Sequence, residues 1–261
     1  MIFVFDIGNT NVIFGAIEEG TVSHQLRFQS ETQKTTDEYA ISLLYLLGHH
    51  RIKLDKLEAV MISSVVPQLT FTFERLARKY LNKNAVVVTT ESNHGLKIML
   101  DEPSTLGSDR LMSALAAHTI FKKNCITVDF GTATTIEALT DEGEFLGGVI
   151  FPGVKLSAQV LHTRTAQLPE VNLTKPETVV GRNTVESIQS GLYYGYLELV
   201  DGLIDRIVRE RFQGKEVIML ATGGMGAEFA AGSSYNMRYE PSLVSYGLYF
   251  MYERLKNSGM V

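Results

Sequence analysis

Two short stretches of this 261-residue chain carry a carboxylate, a glycine and hydrogen-bonding side chains in one order. The first is Asp6-Ile7-Gly8-Asn9-Thr10-Asn11; the second is Asp129-Phe130-Gly131-Thr132-Ala133-Thr134. Each lies between apolar runs, so each carboxylate stands at a strand end, just before a bend. Such a bend has a chemical use. Glycine lets the backbone approach a ligand closely. Turn N–H groups and Asn or Thr side chains donate to phosphate oxygens. A carboxylate is a hard oxygen ligand for Mg2+, which keeps several waters while bridging to phosphates. A plainer reading stands beside this one, because Asp-x-Gly-Asn is also a common hairpin turn that needs no ligand.

Two more segments have chemical potential. Gly107-Ser108-Asp109-Arg110 opens an apolar-periodic run, so its carboxylate falls at the start of a helix. Asp109 there suits a base that accepts a hydroxyl proton, since a helix start favours negative charge. Ser and Asp are equally good helix-start residues with no substrate at all. Arg110 offers a planar fork of donors to a substrate, or a salt bridge to Asp6 or Asp129. The other segment, Ala221-Thr222-Gly223-Gly224, follows a strand and precedes a helix. It fits close approach to an adenosine or ribose, or a purely structural turn. His162, at a helix end, faces a substrate or simply the surface.

The elements that must position these residues repeat. An offset of 123 residues lays Asp129 on Asp6, Gly131 on Gly8, Thr132 on Asn9 and Gly143 on Gly20. That spacing is too wide for a solenoid. It predicts two domains of related topology, residues 1–115 and 116–261, facing each other across an interdomain cleft and clamping a polyphosphate. Residues 2–7, 11–18 and 21–28 read as an antiparallel meander. A helix follows over about 37–50, then a strand in "LEAVMISSV" and a helix opened by Pro67. The second half repeats the meander from Asn124. It then gives a helix over about 153–162 and a helical run of about thirty residues, ~45 Å long, from "GRNT" to "RERF". In that run Gly191 and Gly195 share one face, for a dimer contact or for packing within the chain. Strands alternating with helices place the chain in the α/β class.

Composition excludes several functions. Net charge is −5, which gives no electrostatic case for nucleic acid or an anionic membrane. No apolar stretch is long enough to span a bilayer, and no signal peptide is evident. Cys125 is the only cysteine, so no internal disulfide or cysteine-rich zinc site can form. The expected location is the cytoplasm.

Together these residues resemble the actin-like, sugar-kinase and heat-shock ATPase superfamily. That implies duplicated ribonuclease-H-like domains, each a mixed sheet flanked by helices. The resemblance sharpens to the type III pantothenate kinases. "DIGNTN" at Asp6, "GSDR" at Gly107, "DFGTATT" at Asp129, "GGVIFPG" at Gly147, "GRNT" at Gly181 and "ATGG" at Ala221 look like that family's motifs in order.

The resemblance implies ATP-dependent phosphorylation of pantothenate to 4'-phosphopantothenate, the first step of coenzyme A biosynthesis. It implies that Asp6, Ile7, Gly8, Asn9, Thr10, Asn11, Val12 and Ile13 line the ATP phosphate site, with Asp6 near Mg2+ through water and Thr132 touching ATP. It implies that Gly107, Ser108, Asp109 and Arg110 form the pantothenate loop with Asp109 as catalytic base. Asp129 would help bind a monovalent cation, K+ or NH4+. Thr184 would reach pantothenate from the neighbouring subunit of a homodimer. One position departs from the family: Leu100 stands where a Tyr that contacts substrate is usual. The alternatives are a kinase of another small hydroxylated metabolite and a non-catalytic ATP-binding regulator of the same fold.

Overall fold

A computed structural model describes residues 1–260. The chain divides into two compact units. The first comprises Met1–Leu96, Asp101–Thr119 and the chain from Ser242 on; the second comprises Lys97–Leu100 and Ile120–Pro241.

The first unit opens with β1 (Ile2–Ile7), β2 (Asn11–Glu18) and β3 (Thr21–Gln29), an antiparallel meander. Helix α1 (Thr36–His49) begins at a capping box. The Thr35 hydroxyl accepts from the Glu38 N–H at 3.3 Å, and the Glu38 carboxylate accepts from the Thr35 N–H at 2.7 Å. Strand β4 (Ala59–Ser64) then runs parallel to β1, helix α2 (Pro67–Tyr80) follows with Pro67 in its first turn, and β5 (Ala85–Val87) lies parallel to β4. The sheet order is β3-β2-β1-β4-β5.

Alternation along the strands assigns the two faces. Phe3, Phe5 and Ile7 of β1, with Val60 and Ile62 of β4, point into the core shared with Tyr39, Leu43, Phe73 and Leu76 of α1 and α2. Phe5 lies 5.3 Å from the Phe14 ring and 5.0 Å from the Phe73 ring, centroid to centroid. Its truncation to Ala would cost about 3–5 kcal/mol. Asp6 and Ser63 therefore share the opposite face. Helix α3 (Ser108–Phe121) and the closing helix, Leu243–Asn257, cover that face. A Cβ at Gly15 of β2 would touch Ser245, and one at Gly247 would strike the Met112 carbonyl of α3.

The second unit has β6 (Lys97–Ile98), β7 (Asn124–Phe130), β8 (Ala133–Leu139) and β9 (Glu144–Pro152), then α4 (Val154–Thr163) and α5 (Thr184–Ser190). A wider π-turn over Gly191–Gly195 leads into α6 (Tyr196–Arg211). Strand β10 (Val217–Thr222), α7 (Gly226–Gly232) and β11 (Arg238–Tyr239) complete the unit; the closing helix is α8. The sheet order is β11-β10-β7-β8-β9-β6. Apart from the added edge strand β6, β9-β8-β7-β10-β11 reproduces β3-β2-β1-β4-β5 in both order and strand sense. The 123-residue repeat is thus a repeat of topology.

Two sequence expectations differ from this arrangement in detail. The division at 115/116 is contiguous, whereas α8 clusters with the first unit and β6 with the second. The reason is burial: Leu248, Met251 and Leu255 of α8 are covered, and α8 packs on β1 and β4. The long helical run is present from Thr184 to Arg211, but the Gly191–Gly195 turn resets its phase. Leu192, Tyr193, Tyr196 and Leu197 then all reach the core.

Candidate functional site

Between β1 and β2 the chain turns through Gly8–Asn11. The Gly8 N–H donates to the Asn11 carbonyl at 3.0 Å. Ser30, just past β3, braces the turn: its hydroxyl donates to the Gly8 carbonyl at 2.6 Å and its N–H to the Thr10 carbonyl at 2.9 Å. Asn9 and Thr10 are exposed at the tip, and Asp6, Asn11 and Ile13 are half-buried. Ile7 and Val12 are wholly buried in the α1/α2 core. Within the Asp6–Ile13 run, these two can offer a ligand only backbone atoms.

At the start of α3, the Asp109 carboxylate accepts the Arg110 N–H at 2.8 Å. The Gly107 carbonyl accepts the Leu111 N–H at 3.0 Å, the first helical bond. Gly107 is required by close approach: a Cβ there would lie 2.5 Å from the Asp109 carboxylate and 3.6 Å from Val65. Ser108 turns the other way. It is 7% exposed, and its hydroxyl meets the Ser63 hydroxyl at 3.0 Å and the Ser64 N–H at 2.9 Å. Ser63, Ser64 and Thr70, whose hydroxyl donates to Ser64 at 2.6 Å, were not anticipated from sequence. The signal available was the pair of serines ending an otherwise apolar strand.

In the second unit the turn after β7 is one residue shorter. Asp6 pairs with Ile13, seven positions on, whereas Asp129 pairs with Thr135, six positions on. Three glycine-bearing bends meet around Asp129. The Gly153 N–H donates to the Thr132 carbonyl at 3.0 Å, and a Cβ on Gly153 would strike the Gly131 and Thr132 carbonyls. Thr222 of β10 pairs in parallel register with Asp129, which puts Gly223 directly beside the carboxylate. A Cβ on Gly223 would strike Asp129 Oδ1 and the Phe130 backbone, and φ of +85° excludes most side chains in any case. Thr132 is exposed. Thr134 is buried and hydrogen-bonded to the Tyr196 hydroxyl, which also donates to the Pro152 carbonyl at 3.3 Å. Burial raises the Tyr196 pKa, so this phenol stays protonated. Glu137, 3% exposed, shares the sheet face of Asp129 and was also missed.

Thr184 is exposed at the first position of α5, after Asn183, whose side chain caps the helix by accepting the Glu186 N–H at 3.0 Å. Leu100 packs over Gly147, 3.1 Å from where a Cβ would be, so no hydroxyl is offered there. His162 is exposed, with Nδ1 3.1 Å from the Leu168 carbonyl. Cys125 is buried, which pushes its thiol up to about 12 and leaves it unreactive. A groove of about 600 Å³ between α1 and α2, lined by Asp37, Phe71, Arg75 and Lys79 among others, contains none of the candidate site residues. No helix among the described residues is long and apolar enough to cross a membrane.

This geometry agrees with a family comparison: the model of the family described as type III pantothenate kinase matches residues 2–206. The chain belongs to that family. As a type III pantothenate kinase family member it is placed among kinases, which use ATP and usually a divalent cation. Solved structures share its fold. A protein described as a Baf family transcriptional activator from Campylobacter jejuni is 20% identical with a TM-score of 0.57, covering 98% of this chain and 99% of that one. A protein described as a 2-dehydro-3-deoxygalactonokinase from Sinorhizobium meliloti is 11% identical with a TM-score of 0.55, covering 98% and 97%. The ethanolamine utilization protein EutJ from Carboxydothermus hydrogenoformans is 13% identical with a TM-score of 0.54, covering 95% and 89%. At these identities the likeness is one of fold, the actin-like ATPase and sugar-kinase architecture. Within the type III pantothenate kinase family match lie the Asp6, Asp109 and Asp129 segments and Thr184, while the Gly223 turn follows it.

Proposed function

We propose that this chain transfers the γ-phosphoryl group of ATP to the primary hydroxyl of pantothenate, giving 4'-phosphopantothenate. The observation that carries the reading is the start of α3. There Gly107 leaves room for the Asp109 carboxylate, and Ser108 before it bonds Ser63, the strand partner of Asp6. Phosphoryl transfer needs positioning and charge neutralisation more than covalent help from the protein. Asp109 accepts the pantothenate hydroxyl proton as the oxygen attacks phosphorus, and ADP leaves. Arg110 and the N–H groups at the start of α3 orient the substrate. The Asp6 turn holds phosphate oxygens through Asn9, Thr10, Asn11 and its backbone, and Thr132 contacts ATP.

The donors suit the implied ions. Asp6 is a single half-buried carboxylate beside turn oxygens, a set that fits Mg2+ held through its waters and the substrate phosphates. Bound there, Mg2+ would neutralise charge on the transferred group. Asp129, with the Gly131 and Gly223 bends against its carboxylate, supplies a hard oxygen donor of the kind that suits K+ or NH4+. A bound monovalent cation would offset negative charge at that turn.

The same reading makes the protein a homodimer in which Thr184 reaches the partner's pantothenate. Its support is the helical run through α5 and α6. Gly191, Gly195 and Gly202 are exposed with nothing within 4 Å of an added Cβ, and Val185 and Leu199 are exposed alongside. Light scattering should give twice the chain mass, and Gly195→Leu should give the monomer.

The test is mass spectrometry after incubation of purified protein with pantothenate and Mg-ATP in K+ buffer. A product heavier than pantothenate by one phosphate, lost in Asp109→Asn with ATP binding kept, is the expected result. ATP consumption that ignores pantothenate would overturn the reading.

A further inference from the structure

The resemblance assigns Ser108 to substrate, yet its hydroxyl has no capacity left for one. A hydroxyl has one proton to donate and two lone pairs to accept with. Ser108 accepts the Ser64 N–H at 2.9 Å, bonds the Ser63 hydroxyl at 3.0 Å and donates to the Ser64 carbonyl at 3.2 Å. All three capacities are used on β4, and the side chain is turned into the protein.

What the clamp holds is more informative than what it touches. Ser63 is the parallel register partner of Asp6, and Ser64 that of Ile7. Asp6 and Ser63 lie on the face that α3 covers. Tying Ser108 to Ser63 and Ser64 therefore fixes the residue before Asp109 to the strand position beside Asp6. Thr70 extends the network from α2: its hydroxyl donates to Ser64 Oγ at 2.6 Å, and Ser64 Oγ in turn accepts the Val66 N–H at 3.2 Å. The Val65 N–H donates to the Ile7 carbonyl at 3.0 Å, which continues the β4 chain along the end of β1. Apolar residues would fill the same space without directional bonds. Hydroxyls and backbone groups define one α3 position, because any slip leaves buried polar atoms unpaired.

We propose that Ser63, Ser64 and Ser108 form a positioning clamp that sets the Asp109 carboxylate in register with Asp6 for phosphoryl transfer, and that the Ser108 hydroxyl is not a substrate ligand. The inference rests on the reading of Asp109 as the base. Misplacing a reacting group by an ångström costs up to about 100-fold in rate.

The experiment measures kcat and KM for pantothenate and ATP in Ser108→Ala, Ser63→Ala, the double variant and Asp109→Asn, with melting curves for each. A positioning clamp lowers kcat about ten- to a hundredfold in each single serine variant while both KM values stay within about twofold. The double variant should be no slower than the slower single, since both break one unit. A pantothenate KM that rises in Ser108→Ala at unchanged kcat makes Ser108 a substrate ligand and overturns the proposal. A lowered melting temperature with unchanged kinetics also overturns it, leaving a merely structural role. Ser63 is fully buried, so Ser63→Ala decides alone by the same criteria if Ser108→Ala does not fold. Should Asp109→Asn keep full turnover, it is the base assignment that fails, whatever the serine variants do.

Discussion

At the Asp6 turn, a Cβ added to Gly8 would meet one atom, the Asn11 carbonyl oxygen, at 3.3 Å. The Asp129 turn's own glycine, Gly131, is nearly as open, its Cβ meeting the Ala133 carbonyl at 3.2 Å. The two bends beside that turn are closed: a Cβ on Gly153 would strike the Gly131 and Thr132 carbonyls, and one on Gly223 the Asp129 carboxylate and the Phe130 backbone. The first turn is braced by a side chain, Ser30, and carries Asn9 and Thr10 at its tip. The second carries Thr132 at its tip and is hemmed in by the neighbouring Gly153 and Gly223 bends. Two copies of one topology have thus specialised. One is propped by a side-chain brace, and the other is crowded by two neighbouring glycine bends that leave no space for a Cβ. The lesson is that a shared Asp-x-Gly says where a turn is, while the neighbouring strands decide what the turn can do.

The sharpest way to break this comparison is to put the same methyl on one glycine at each site. Gly223→Ala forces a Cβ into Asp129 and Phe130 at a positive φ. The strain and displacement should cost about 3 kcal/mol of stability and ~100-fold in ATP affinity. Gly8→Ala asks only that one neighbour yield a few tenths of an ångström, so ATP affinity should fall less than about tenfold. Calorimetric titration of ATP with a melting curve for each variant separates the two. Equal losses would show the turns to be held alike.

A second contrast concerns the carboxylates. If Asp6 serves a hydrated divalent ion and Asp129 a monovalent one, their amides should fail differently. Asp6→Asn should lower kcat by roughly 30- to 100-fold at fixed Mg2+, a few kcal/mol of electrostatic stabilisation, and the rate should partly return as Mg2+ is raised. Asp129→Asn should mainly blunt the gain on replacing Na+ by K+ or NH4+. Assays across both ion series give the answer, and identical ion profiles in the two variants would erase the distinction.

Smaller effects should follow from loosening each brace. Tyr196→Phe removes the partner of the buried Thr134 hydroxyl and should cost about 1–2 kcal/mol. Ser30→Ala removes one bond to the half-buried Gly8 carbonyl, which water can replace, for about 0.5–1 kcal/mol. Urea denaturation of both variants measures the difference; a larger loss in Ser30→Ala would reverse the assignment of rigidity.

Much of this was legible in the sequence, for physical reasons. Strands such as β1 and β7 announce themselves because burial on both sheet faces demands continuous apolar residues, and Asp6 and Asp129 stand out by interrupting them. Gly20 and Gly143, at φ of +79° and +80°, mark equivalent hairpins because only glycine adopts that backbone freely. The approach of Gly223 to Asp129 was not legible, since it depends on β10 pairing parallel to β7 across 92 intervening residues. Ser63 and Ser64 carry no signal of their own, because a serine at a strand end looks the same whether it meets water or a second serine. Ile7 and Val12 lie within the motif that implies the phosphate site, where only their backbone can serve. Strand alternation sends both side chains to the core.

The units differ also in how their chain is gathered, and this yields the mildest prediction. The second unit is nearly contiguous, whereas the first recruits α8 from the end of the chain. Glu58, just before β4, is one polar tie in that recruitment. Its carboxylate accepts from the Met1 amino group at 2.8 Å, the Lys256 ammonium at 3.1 Å and the Tyr252 hydroxyl at 3.0 Å. These donors, the Met1 amino group foremost, lower its pKa from 4.5 to about 2. A carboxylate depressed in the folded state adds stability above its unfolded pKa and loses it as pH falls through the folded one. The contribution should therefore be full above about pH 5 and fade between about pH 4.5 and 2. Its size is modest because the Glu58 side chain is 51% exposed, so water and salt screen the charges. Glu58→Gln should melt slightly earlier than the parent at pH 7 and converge with it near pH 2, and hydrogen exchange should localise the loosening to α8. A gap between the two proteins that is constant with pH would mean that apolar packing alone holds α8, making the first unit as insensitive to this carboxylate as the second.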